Sequence, residues 1–348
     1  MSAGAGLAAT AEHAARGKAA AVARGYWPDP FARHFGGRGE LRSPGALINR
    51  GQYARIAAIC SVCEQFLGAT AGVEAQIVSL GAGFDTLFWQ LAAAGAAPRL
   101  FIELDQMSIV HRKTDAIMRQ PELQQPLGIG DGDSGGGDVD LTRATGYKLL
   151  TADLNDTAQL EQALADAGWR PEEPTLVIAE CVLVYMAADK SSAVLRWFAE
   201  RAPRAVLVSY EMIGPHDPFG RTMVSNLRDR GCPLLGLAEI PDIAAQEARA
   251  REVGWGRAVG MPVLRYYERV LSAAERSRIG QIELLDEVGS WRDEGRGTRD
   301  EGRGIPACPS VTLIATRCRD HPRPLSLPSL PLPSLPFAVP RINARGST

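Results

Sequence analysis

The run QIVSLGAGFDT, Gln76 to Thr86, constrains this chain more than any other stretch, because an apolar strand that stops at Gly81-Ala82-Gly83 exposes bare backbone to whatever lies beyond its end. Roughly twenty residues later RLFIELD repeats the apolar run and closes on Glu103 and Asp105. Strand, glycine turn, helix, strand and terminal acid describe a nucleotide-type site on an α/β sheet, with the acid placed to accept hydrogen bonds from ribose hydroxyls. A pyrophosphate needs close approach to the helix N-terminus, and the bulky Phe84 after Gly-x-Gly opposes it. A nucleoside ligand without phosphates fits better, and S-adenosylmethionine is the expected cofactor.

The alternation continues. TADLND ends a third apolar run, Tyr147 to Asp156, and carries Asp153; PTLVIAECVLVYM, Pro174 to Met186, ends its strand at Glu180; RAVLVSYEM, Arg204 to Met212, is a fifth. Helical segments separate them, so the fold class is α/β, a doubly wound Rossmann-like sheet. Open sheets of this type bind ligands at the C-terminal ends of their strands, where Gly81, Asp105, Asp153 and Glu180 all fall. Asp105 suits the ribose diol; Asp153 suits the adenine amino group, with Leu154 offering a backbone N–H and an apolar wall.

Around this core, residues 1–75 read as an N-terminal helical segment, with helices over 8–23 and 49–67 separated by the Pro-rich hinge GYWPDP. The methyltransferase-type domain is expected over 76–317. Residues 120–146, with their Gly and Asp tract, read as a loop insertion, and 213–259 as a mainly helical cap. Residues 266–288 read as a further helical segment. The seven-residue repeat in WRDEGRGTRDEGRG falls in 289–309, read as an insertion before a genuine last strand, SVTLIATR. Residues 318–348 form a proline-rich tail expected to be extended and mobile.

A net charge of −2 and a pI near 6.3 give no footprint for nucleic acid. No apolar run is long enough to cross a membrane. Of six cysteines, Cys60 and Cys63 form a Cys-x-x-Cys pair on a helix with no further ligands nearby, so no metal is expected and the thiols read as reduced in a cytoplasmic protein. Lys18 and Arg55 gain interest from chemistry: a methyl donor's carboxylate, or an acidic acceptor, needs a cationic partner once removed from water.

Together GYWPDP (25–30), INRGQYAR (48–55), QIVSLGAGFDTLFWQL (76–91), FIELD (101–105), TADLND (151–156), PTLVIAECVLVYM (174–186), SYE (209–211), FGRTMVSNLRDRGCPLLG (219–236) and ERSRIGQIELLDE (275–287) resemble the leucine carboxyl methyltransferase family. The resemblance implies methyl esterification of the C-terminal leucine carboxylate of the protein phosphatase 2A catalytic subunit. It implies that Lys18, Arg55, Gly81, Asp105, Asp153, Leu154 and Glu180 contact S-adenosylmethionine, and that Arg55 and Tyr185 face the acceptor carboxylate. Competing expectations are a tRNA wybutosine intermediate or a small carboxylic acid as acceptor, or a phosphatase-binding regulator without turnover.

Overall fold

A computed structural model describes residues 3–37, 44–129, 146–284 and 310–316. The N-terminal segment contributes α1 (Ala3–Ala23), the one-turn α2 (Ala32–Phe35) and α3 (Ala46–Ala69). The sheet and its crossovers follow as β1 (Gln76–Leu80), α4 (Leu87–Ala93), β2 (Leu100–Asp105), α5 (Met107–Met118), the short α6 (Pro121–Gln124), β3 (Tyr147–Thr151), α7 (Thr157–Asp166), β4 (Thr175–Glu180), α8 (Ala188–Arg201) and β5 (Ala205–Met212). The remainder is α9 (Pro218–Asp229), α10 (Ile243–Glu252), β6 (Arg257–Pro262), the single turn α11 (Val263–Arg265), α12 (Ala273–Ile282) and β7 (Ser310–Thr316).

Seven strands form one sheet in the order β3-β2-β1-β4-β5-β7-β6. The first five are parallel, and β7 runs antiparallel between β5 and β6. The central strands are buried on both faces, which is why they read as unbroken apolar runs. One face packs Phe66, Phe88, Trp89 and Tyr147; the other packs Val194, Phe198 and Trp255. Two units read from sequence keep their place: the strand from Ser310 pairs in register with β5 over its whole length, and Glu180 is the last residue of β4.

Other expectations change. The cap read as mainly helical ends in a strand, β6, whose half-exposed RAVGMP carries Gly260 and Pro262 and offers no clear alternation; only pairing with the remote β7 makes it a strand. Helix α1 starts at Ala3, earlier than expected. The third strand stops at Thr151, so Asp153 lies in the following turn; Asp156 takes over as the cap of α7, accepting from the Ala158 and Gln159 N–H groups. Within the expected 120–146 loop, residues 121–127 are helical turns that bury Leu123 and Leu127, with the Trp89 indole donating to the Leu123 carbonyl. The helix expected over 266–288 is interrupted, and Ser272 caps α12. The Gly and Asp tract, residues 289–309 and the tail 318–348 lie outside the described residues.

The N-terminal helices are tied to α12 at several points: Tyr53 donates to Glu275 at 2.6 Å, and Arg278 donates to the carbonyls of Gly25 at 2.9 Å and Tyr26 at 2.6 Å. Glu283 accepts from Arg24 at 2.6 Å, Tyr26 at 2.9 Å and Asn49 at 2.7 Å, and its carbonyl accepts from Arg50 at 2.6 Å. This holds α1 and α3 over the C-terminal ends of the parallel strands, where ligands of open sheets sit.

Candidate functional site

The chain turns out of β1 through two residues at φ +56°, Gly81 and Gly83. Any Cβ at Gly81 would lie 2.6 Å from Cγ2 of Val182, so the turn tolerates glycine on both conformational and steric grounds. Asp105, at the end of β2, ties this turn down: Oδ2 accepts from the Gly83 N–H at 2.7 Å and Oδ1 from the Gln106 N–H at 2.7 Å. Burial raises its pKa, and those two N–H donors oppose the rise. Each oxygen keeps a lone pair for a ligand hydroxyl. Beyond β3, Asp153 is exposed and Oδ1 accepts from both the backbone and side-chain N–H groups of Asn155 at 2.9 Å, while Leu154 is buried.

At the other end lies a charge cluster. Glu180 receives Lys18 from α1 at 2.9 Å and the Arg55 Nε from α3, and Lys18 also reaches Asp85 at 3.2 Å. Each of Lys18, Arg55 and Glu180 is nearly enclosed. Burial disfavours all three charges, but neighbouring groups outweigh it: Arg55 and Lys18 hold Glu180 well below the usual carboxylate range, Asp85 and then Glu180 raise the Lys18 pKa, and Cys181, Glu180 and Tyr210 raise that of Arg55. The Arg55 guanidinium also lies 4.9 Å from the centre of the Tyr210 ring.

Tyr185 sits in a turn, Leu183–Tyr185, that follows β4. The turn is anchored from behind by Glu211, a fully buried carboxylate that accepts the Leu183 and Val184 N–H groups at 3.1 Å each. Burial, with smaller contributions from Cys181 and others, raises the Tyr185 pKa, so its phenol is a donor at neutral pH.

All eight residues singled out from sequence, Lys18, Arg55, Gly81, Asp105, Asp153, Leu154, Glu180 and Tyr185, line one cavity of about 420 Å³. Sequence reasoning missed Asp85 as the second partner of Lys18. It quoted SYE without giving Glu211 a task, since nothing in that motif shows which backbone groups a buried acid will hold.

The family described as "Leucine carboxyl methyltransferase" matches residues 7–199, more than half of the chain. The chain belongs to the leucine carboxyl methyltransferase family. Among its relatives, the Arabidopsis thaliana leucine carboxyl methyltransferase 1 homolog is 37% identical over 81% of this chain and 84% of its own length. The bovine leucine carboxyl methyltransferase 1 is 37% identical over 81% of this chain and 85% of its own length. The human tRNA wybutosine-synthesizing protein 4 is 36% identical, over 81% of this chain but 41% of its own length.

As a member of the leucine carboxyl methyltransferases the chain is a methyltransferase, and its cofactor is S-adenosylmethionine. The cavity fits that molecule on its own chemistry. Its size suits a ligand of this mass. The cradle at Gly81 leaves no room for a side chain, acids stand at the strand ends, and apolar walls come from Ile109, Leu154 and Met186. Among the described residues no group of three or more His, Cys, Asp or Glu could hold a metal ion, and no helix is long and apolar enough to cross a membrane.

Proposed function

We propose that this chain methylates the C-terminal leucine α-carboxylate of the protein phosphatase 2A catalytic subunit, in the cytoplasm, with Arg55 and Tyr185 orienting the acceptor. The observation that carries the reading is the enclosed cluster of Lys18, Arg55, Glu180 and Asp85 beside Tyr185: two cations and a neutral donor stand where a carboxylate must be taken out of water. The names of the Arabidopsis thaliana and bovine relatives support leucine as the acceptor residue.

S-adenosylmethionine, when bound, supplies an electrophilic methyl group on a sulfonium. Asp105 would accept from the ribose hydroxyls, Asp153 and Leu154 would meet the base, and Lys18, Arg55 and Glu180 would hold the charged amino-acid end, with Gly81 giving backbone access. An α-carboxyl has a pKa of about 3.5, so the nucleophile is already ionised at neutral pH and no general base is needed. The protein's task is therefore placement and exclusion of water. Opposite charges are consumed in the reaction, so strong pairing of the acceptor would stabilise the ground state more than the transition state. Glu180 tempers this by occupying part of the cationic capacity of Arg55 and Lys18.

The wybutosine-synthesising relative shares the same region at similar identity, so the acceptor is decided by assay. Radiolabelled methyl transfer is expected to intact phosphatase catalytic subunit, with none to a version lacking the last leucine and none to tRNA. Label on tRNA, or on the truncated subunit, would overturn the assignment.

A further inference from the structure

Behind the wall of the cavity, between α5 and the sheet, stands an ion pair with no accessible surface. Lys113 of α5 donates to Glu103 of β2 at 2.5 Å, and the Tyr147 hydroxyl donates to the same carboxylate oxygen at 2.7 Å. The Trp89 and Phe35 rings lie 5.3 and 5.7 Å from the ammonium, within cation–π range. Burying two charges is expensive, and apolar side chains of similar volume often fill such a space with no loss of stability. Burial pushes the Glu103 carboxyl up, against the pull of Lys113. Packing alone does not account for the pair.

What an apolar core could not supply is one further bond: Lys113 Nζ donates to the backbone carbonyl of Asp85 at 2.8 Å. The Asp85 N–H closes the glycine turn on the Ala82 carbonyl at 3.0 Å, so Lys113 fixes the peptide on the other side of the same residue. With its backbone held at both ends, Asp85 reaches Lys18 at 3.2 Å on the wall of the cavity. We propose that Lys113 is a positioning residue for cofactor binding: through the Asp85 carbonyl it sets the carboxylate that orients Lys18 at the amino-acid end of S-adenosylmethionine. The inference rests on the cofactor contacts assigned above.

The test compares two ligands by calorimetry: S-adenosylhomocysteine, and 5′-methylthioadenosine, which keeps the nucleoside and the sulfur but lacks the amino-acid end. Lys113→Met combined with Glu103→Gln strands no charge. Its Kd for S-adenosylhomocysteine should rise at least about tenfold, and that for 5′-methylthioadenosine by less than about twofold. A role confined to holding the core together would weaken both ligands alike. Asp85→Ala should shift the ratio in the same direction, and adding it to the double variant should cost less than about a further twofold, because the two positions act as one unit. Where the double variant gives no cooperative melt, Glu103→Leu, Lys113→Met and Tyr147→Phe together replace the whole cluster by apolar groups and serve instead. Equal weakening of both ligands, an unchanged Kd for S-adenosylhomocysteine, or full additivity with Asp85→Ala would each overturn the proposal. Failure of the underlying contact assignment looks different: Lys18→Ala would itself leave the ratio of the two Kd values unchanged, and the proposal would fall with it.

Discussion

Glu180 receives one cation from each of two N-terminal helices, and that shared pairing gives substitutions at the cluster two separate consequences. Arg55→Ala removes an orienting cation and leaves the enclosed Glu180 held by Lys18 alone. Turnover is expected to fall at least about tenfold, and unfolding free energy by about 3 kcal/mol, the low end for breaking a buried pair. Methyl-transfer rates and denaturant melts measure the two effects independently. Tyr185→Phe, which removes only a donor, should cost less than Arg55→Ala; full activity in Arg55→Ala would remove its assigned role. Asp105→Ala should weaken S-adenosylmethionine binding by at least about tenfold in calorimetry, because the ribose loses its acceptor and the Gly83 N–H loses the group that fixes the turn. The acids were legible because each ends an apolar run, a position readable along the chain. The Lys18–Asp85 contact was not, since it joins residues from separate helical and loop segments that only folding brings together.

The turn after β4 shows how an element can be set by a group outside it. Cys181 is the one non-glycine with positive φ among the described residues, at 54°, and the backbone then swings so that Leu183 and Val184 present their N–H groups to Glu211. Burial lifts the Glu211 carboxyl from 4.5 to about 7, while Arg249, those N–H groups and Ser209 pull the other way. A carboxyl whose folded pKa is raised favours the folded state most below its unfolded value, and this advantage is lost as pH climbs through about 7. The native chain should therefore lose about 3 kcal/mol of stability between roughly pH 5 and pH 8 that Glu211→Gln does not lose. Thermal melts across that range give the comparison, and parallel curves would count against it. Parallel strands buried on both faces were readable as apolar runs, whereas β6, half exposed and ending in proline, acquires its identity only from β7.

For the whole molecule, the decisive strand is the last. β7 pairs with β5 from Val206 to Met212 and with β6 from Arg257 to Pro262, so its removal would orphan backbone groups on both neighbours. A chain ending at residue 284 should fail to give a cooperative melt and should bind no S-adenosylmethionine, although every cofactor-lining residue is retained. A cooperative transition in that truncated chain would refute the prediction. The expectation of a genuine last strand came from the apolar SVTLIATR, but its insertion between two earlier strands was not readable, because strand order is set by packing across the sheet and not by succession in sequence.

That interior position has a consequence for biosynthesis. Lys18 leaves the ribosome well before β7, yet the sheet on whose edge it meets Glu180 stays divided until residue 316 has emerged. The exposed side of β5 must wait, unpaired, through the synthesis of more than a quarter of the chain, counted from Met212 to Thr316 of 348 residues. Translation speed across that interval, and any chaperone that shields a bare strand, thus bear on how much enzyme a cell obtains from each message.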